Sequence, residues 1–175
     1  MRVNNIDFIP FIDAGTIHER VVAMARQINE DYTDKTPVFL PVLNGSFMFA
    51  SDIIQELDIP CRISFVKVSS YVGTQSTGQL KSLIGLDESL FNQNVVIIED
   101  IVDTGLTLQR IVDELKTLGT KSVEVMSLLR KKPARDKGLN VKYVGFDIES
   151  EFVLGYGLDF DGLGRNSKML FKANR

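Results

Sequence analysis

Cysteine and histidine occur once each in the 175 residues, as Cys61 and His18. A single thiol closes no internal disulfide, and one thiol with one imidazole falls short of the ligands a structural zinc site needs, so both frameworks are excluded. Both residues are read as structural. An excess of positive charge is missing as well: 20 Lys and Arg against 23 Asp and Glu leave a net charge of -3. A general nucleic-acid binder presents a basic field, so the expected partner is a small molecule. No apolar run approaches the roughly 18 residues of a membrane span, and MRVNNIDFIPF lacks the charged and then apolar regions of a secretory signal. The expected location is the cytoplasm, with no membrane partner. No internal repeat, low-complexity tract or linker divides the chain.

What is present suits one domain, since 44% of the residues are hydrophobic and a chain of this size buries about 70% of its unfolded surface. Between Thr16 and Tyr32, Ile17, Val21, Met24, Ala25 and Ile28 recur at three and four, predicting an amphipathic helix after a Gly-Thr start. VFLPVL (38–43) is a short apolar run ending at Asn44-Gly45, predicting a buried strand and tight loop. The helix expected next sets Phe47, Ala50, Ile54 and Leu57 on one face. RISFVKV (62–68) alternates as a half-buried strand does, and SSYVGTQSTGQLK after it reads as a loop. VVIIE (95–99) predicts another strand, followed by a helix with the stripe Leu108, Ile111, Val112, Leu115 and Leu118 and a stop at Gly119. SVEVMSLLR and KYVGFDI are further strands. Strands alternating with helices predict an α/β fold with a parallel sheet covered on both faces.

In such sheets ligands bind beyond the carboxyl ends of the strands. The strand VVIIE delivers Glu99, Asp100 and Asp103 there, three carboxylates in five positions. Capping of the next helix by Asp103 or Thr104 accounts for one of them only. Adjacent acids repel unless a cation offsets them, which suits Mg²⁺ bridging to phosphates. In Asp103-Thr104-Gly105-Leu106-Thr107, a glycine, two hydroxyls and free amides at a helix N-terminus suit a phosphate group. A Walker loop is excluded because no GxxxxGK[ST] occurs, and the glycines of GYGLDFDGLG do not follow the dinucleotide fingerprint. A receiver-type phospho-acceptor domain would carry its acidic pair after the first strand.

IIEDIVDTGLT (97–107) resembles the phosphoribosyl pyrophosphate motif of the type I phosphoribosyltransferases: two acids, two aliphatics, then Asp-Thr-Gly-x-Thr. The blocks VLNGSFMFASDI, SSYVGTQSTGQ, SLLRKKPAR and FVLGYGLDFDGLGR resemble the hypoxanthine-guanine branch of that family in the same order, over roughly residues 35 to 170. The resemblance implies a type I phosphoribosyltransferase fold. Its features would be a mostly parallel central sheet flanked by helices (about 35–150), a small hood from the N- and C-terminal segments, and a flexible loop near 69–81. It implies transfer of the phosphoribosyl group from phosphoribosyl pyrophosphate to N9 of a 6-oxopurine, yielding IMP or GMP and pyrophosphate.

By the same resemblance Glu99 and Asp100 meet the ribose hydroxyls and Mg²⁺, and Asp103 lies beside purine N7 as general base or positioner. Asp103, Thr104, Gly105, Leu106 and Thr107 hold the 5′-phosphate. Lys131 recognises the 6-oxo group, Phe152 stacks on the base, Val153 meets its edge through backbone, and Asp159 serves the purine side and a second Mg²⁺. Arg165 and the Asn44-Gly45 amides take the pyrophosphate, Arg135 is tied to pyrophosphate binding, and Ser70-Tyr71 belong to the closing loop. Asn44 stands where some members have lysine, and a cis peptide is expected at Asn44-Gly45. A homodimer or homotetramer is implied. Xanthine or a pyrimidine as acceptor stays open, as does a nucleotide-sensing RNA-binding regulator on the same fold.

Overall fold

The computed structural model describes residues 1–67, 90–137 and 140–174. The loop expected at 69–81, with Ser70 and Tyr71, lies outside the described residues. The chain opens with β1 (Arg2–Val3) and β2 (Ile6–Ile12) and enters α1 (Ala14–Asp31). That helix starts earlier than the Gly-Thr signal, because Asp13 caps it by accepting the Thr16 amide (2.9 Å). Its buried residues are Ile17, Val21, Met24, Ala25 and Ile28, the predicted stripe.

Then come β3 (Val38–Leu43), α2 (Phe47–Gln55), β4 (Arg62–Ile63) and β5 (Val66–Lys67). The single strand expected at 62–68 is two short ones, both parallel to β3, with Ser64 and Phe65 between them. In α2 the buried residues are Phe49, Ala50 and Ile53, while Phe47 is exposed, so the predicted face was rotated at its first position. Ile54 and Leu57 still pack against the core. The second βα unit is β6 (Asn94–Val102) and α3 (Leu106–Thr117), followed by β7 (Ser122–Lys131), the short α4 (Lys132–Asp136) and β8 (Tyr143–Ile148). Last are β9 (Val153–Leu154) and β10 (Leu170–Ala173).

The main sheet runs β4-β3-β6-β7-β8 with parallel pairing throughout. Its central strand explains the continuous apolar run: side chains alternate across a strand, so both faces of a covered sheet must be apolar. Val96 and Ile98 face the core built with α1 and α2, and Val95 and Ile97 face the core closed by α3. All four are fully buried. The β6 strand reaches Val102, three residues beyond the predicted end, because Ile101 and Val102 pair with Leu129 and Arg130 of β7. Asp100 therefore stands on the strand with Glu99 rather than in a loop after it.

A second sheet, β1-β2-β10-β9, joins the two ends of the chain by antiparallel pairing. Its own small core holds Val3, Phe8 and Leu154, flanked by Phe152, Phe160 and Phe171. Among the described residues no helix is long and apolar enough to cross a membrane.

Candidate active site

Parallel β3, β6 and β7 end side by side, and the residues at their carboxyl ends converge with the 152–165 segment. At the end of β3 the peptide bond Leu43-Asn44 is cis, one residue before the bond expected to be so. Ser46 follows at the head of α2, fully buried, with its hydroxyl donating to the Val42 carbonyl (2.7 Å). Gly45, just before Ser46, is turned toward Asp100 of β6. A Cβ on Gly45 would lie 1.6 Å from Asp100 Oδ2. The absence of a side chain is thus what lets the two strand ends meet.

Glu99 and Asp100 are both half-buried, and the surrounding protein removes part of their water. Burial, reinforced by the Asp100 charge, pushes the Glu99 carboxyl well above the usual range. Asp100 is also pushed up, chiefly by burial and further by Asp159, while the Ile101 amide (2.8 Å to Oδ1) and Arg165 pull it back. Two adjacent desolvated carboxylates favour a cation between or beside them. Arg165 is tied to the neighbouring segment: its Nη2 contacts Asp159 Oδ1 at 2.6 Å and its Nη1 donates to the Gly157 carbonyl at 2.7 Å. Asp159 Oδ2 accepts the Gly162 amide (2.7 Å).

The phosphate-type loop departs from the capping expectation. Gly105 takes the N-cap position of α3 in the left-handed region (φ 77°), and no side chain caps the helix. Neither Asp103 nor Thr104 spends its oxygen there. A left-handed residue is inexpensive only for glycine, so Gly105 turns the chain and leaves the first amides of α3 without side-chain caps. Asp103 is instead paired with Lys131, whose Nζ lies 3.0 Å from Asp103 Oδ2 across the gap between β6 and β7. Lys131 is largely buried and Asp103 exposed, so the amine is held while the carboxylate faces outward.

Phe152 stacks edge-on with Phe160 (ring centroids 5.3 Å, 89°) and tilts against Phe8 (5.9 Å). Val153 is buried in β9, paired with Lys172 of β10. Arg135 falls within α4. Asp100, Gly45, Asp159 and Arg165 come together in one cluster with Glu99 next to Asp100 on the strand, and Asp103 with Lys131 forms a second contact. Two residues were missed by the sequence reading: Tyr156 and Asp52, whose side chains meet at 2.5 Å. The only sequence signal was a tyrosine between two glycines.

A parallel α/β sheet with a half-buried acid pair at one strand end and an uncapped, glycine-opened helix beside it is the architecture of a phosphate-ligand site at the carboxyl ends of the strands. Residues 13–161 match the phosphoribosyl transferase domain, and the chain belongs to that family. Among the relatives, hypoxanthine-guanine phosphoribosyltransferase of Staphylococcus epidermidis is 44% identical over 144 residues, covering 82% of this chain and 80% of the relative. The enzyme of that name from Staphylococcus aureus is 43% identical over the same length and coverage. A crystal structure of a hypoxanthine-guanine phosphoribosyltransferase from Bacillus anthracis superposes with a TM-score of 0.86 at 34% identity, over 97% of this chain and 98% of that one. A point mutant of the hypoxanthine phosphoribosyltransferase of Trypanosoma cruzi, complexed with the product IMP, gives 0.87 at 31%, over 99% and 94%.

Proposed function

We propose that this chain moves the 5-phosphoribosyl group of phosphoribosyl pyrophosphate to N9 of hypoxanthine and/or guanine, giving IMP or GMP and pyrophosphate. The observation that carries the reading is the half-buried acid pair Glu99 and Asp100, of which Asp100 is pressed against Gly45 and lies within the field of Arg165. Breaking the bond from ribose C1 to pyrophosphate builds positive charge on the sugar while negative charge departs, as in other oxocarbenium-like reactions. Acids beneath the ribose stabilise the first charge, and Arg165 with the Asn44-Gly45 amides stabilises the second. Asn44 carries no charge, so the arginine supplies the side-chain cation of this subsite.

The donor set fits Mg²⁺. Among the described residues no three acids, cysteines or histidines converge, whereas Mg²⁺ commonly uses one or two carboxylates with substrate phosphates. Glu99 and Asp100 would hold one ion and Asp159 a second. When bound, Mg²⁺ neutralises developing charge on the pyrophosphate.

The uncapped N-terminus of α3, with Asp103, Thr104, Gly105, Leu106 and Thr107, receives the 5′-phosphate. On the base side Phe152 stacks, Val153 meets the purine edge through its backbone, and Lys131 donates to O6. A fixed cation favours a 6-oxo acceptor over a 6-amino donor. Asp103 accepts from N7, either taking the proton or holding the base in register. The sheet formed by the chain ends serves as the hood over this site. We assign the protein to the cytoplasm, as a homodimer or homotetramer.

The test is a spectrophotometric assay with phosphoribosyl pyrophosphate and Mg²⁺ against hypoxanthine, guanine, xanthine, adenine and uracil, repeated with EDTA. Metal-dependent turnover of hypoxanthine or guanine is expected. Turnover of xanthine or uracil alone would overturn the base assignment, and no turnover of any base would overturn the enzyme reading.

A further inference from the structure

The turn Gly155-Tyr156-Gly157 has three consecutive residues with positive φ, at 103°, 46° and 97°. For a tyrosine this region is uncommon and persists only where the surroundings demand it. Two demands are visible. The Tyr156 side chain is buried and its hydroxyl donates to Asp52 Oδ2 of α2 at 2.5 Å. The Tyr156 amide donates to the Ser167 carbonyl, and the Gly157 amide to the Arg165 carbonyl, each at 2.9 Å. Burial first and Asp52 second push the phenol above its ordinary range, so it stays a donor to the carboxylate.

The consequence lies at Gly157. A Cβ there would meet the Gly45 carbonyl at 2.1 Å, so the two glycines bring their backbones into direct contact. The Gly157 carbonyl in turn accepts from Arg165 Nη1 (2.7 Å). The turn therefore touches the Asn44-Gly45 loop on one side and holds the Arg165 guanidinium on the other. The helix that carries Asp52 is the one that begins directly after that loop. We infer that Tyr156 and Asp52 are positioning residues for pyrophosphate: their bond sets the spacing between the Asn44-Gly45 amides and Arg165, and neither touches substrate. The purine side has backbone ties of its own, through pairing of Val153 with Lys172 and donation by the Ala173 amide to the Phe152 carbonyl (2.9 Å). The inference rests on the assignment of Arg165 and the Asn44-Gly45 loop to pyrophosphate made above.

The experiment measures binding of inorganic pyrophosphate with Mg²⁺ by calorimetry, and KM for phosphoribosyl pyrophosphate and for hypoxanthine, in Tyr156→Phe, Asp52→Ala, Asp52→Asn, the Tyr156→Phe/Asp52→Ala double variant and Arg165→Ala. Tyr156→Phe and Asp52→Ala are each expected to weaken pyrophosphate binding about tenfold, as loss of a supporting contact commonly does. The double variant should be no worse than either single one, because both remove the same bond. Asp52→Asn keeps an oxygen acceptor and should recover most of the loss, and KM for hypoxanthine should stay within about twofold of wild type. Should Tyr156→Phe not fold, Asp52→Ala removes the same bond from a half-buried helical position. An equal rise in the base KM would overturn the inference in favour of general loosening. Wild-type pyrophosphate affinity in Tyr156→Phe or Asp52→Ala, with weakened binding in Arg165→Ala, would overturn it and leave the site assignment standing. Unchanged binding in Arg165→Ala would overturn both.

Discussion

Replacing Gly45 with alanine places a methyl group where a carboxylate already sits. The added Cβ would lie 1.6 Å from Asp100 Oδ2 and 2.5 Å from its Cγ. An unstrained contact needs about 3.5 Å, so one partner must retreat by roughly 2 Å. Neither is free to do so. Asp100 Oδ1 is engaged by the Ile101 amide, and the Gly45 carbonyl is packed against Gly157. Overpacking of this kind destabilises by about 1–3 kcal/mol, and in a chain of this length each kcal/mol lowers Tm by about 2–4 °C. The catalytic effect should be the larger one. A displacement of about 1 Å of a reacting group costs on the order of 10²-fold in rate, so kcat/KM for phosphoribosyl pyrophosphate should fall by at least about that factor. The assay is steady-state IMP formation, with a Mg²⁺ titration to show whether more metal is needed. Gly162→Ala is the control: unlike Gly45 it sits at positive φ (81°), and nothing lies within 4 Å of the added carbon. It should cost about 1–2 kcal/mol of backbone strain with turnover intact. A Gly45→Ala enzyme with wild-type kcat/KM and Mg²⁺ dependence would refute the reasoning.

Three further outcomes are expected. Because burial raises the folded-state pKa of Glu99 above its ordinary 4.5, the folded protein binds more protons than the unfolded chain in that window. Stability is then greatest below about the ordinary value and is lost as pH rises through the folded one; Glu99→Gln should flatten the fall of Tm with pH while lowering activity, and an unchanged Tm–pH curve would contradict this. Asp103→Asn should lower turnover by on the order of 10²- to 10⁴-fold, and wild-type turnover would remove its role at N7. Lys131→Ala removes the amine 3.0 Å from Asp103 and should raise KM for hypoxanthine more than KM for phosphoribosyl pyrophosphate; the reverse pattern would move Lys131 to the other substrate.

Local patterns were enough for the main sheet and its covering helices. The three-and-four spacing of Ile17, Val21, Met24, Ala25 and Ile28 marks the buried face of α1 because a helix repeats every 3.6 residues. The continuous run Val95 to Ile98 marks a strand covered on both sides because side chains alternate. The acid pair and the Asp-Thr-Gly-x-Thr turn were legible for the same reason: all their residues are close in sequence, so their chemistry reads directly from the chain. Where the pattern misled, a distant contact intervened. Pairing with β7 extends β6 past Glu99, and burial of Phe49 and Ile53 leaves Phe47 exposed at the head of α2.

Long-range geometry decided the rest. The sheet joining β2 to β10 brings the two ends of the chain together, and no local periodicity encodes a pairing across that separation. The contact of Gly45 with Asp100, the pairing of Lys131 with Asp103 and the bond from Tyr156 to Asp52 each join segments tens of residues apart or more. Their residue types were in plain view. Their meeting depends on which strand ends lie adjacent and how closely two glycine backbones approach, quantities that exist only once the sheet is assembled. The sequence by itself thus determined which chemistry is available, because residue type and near spacing specify it, and only the tertiary structure decided which groups stand close enough to act together.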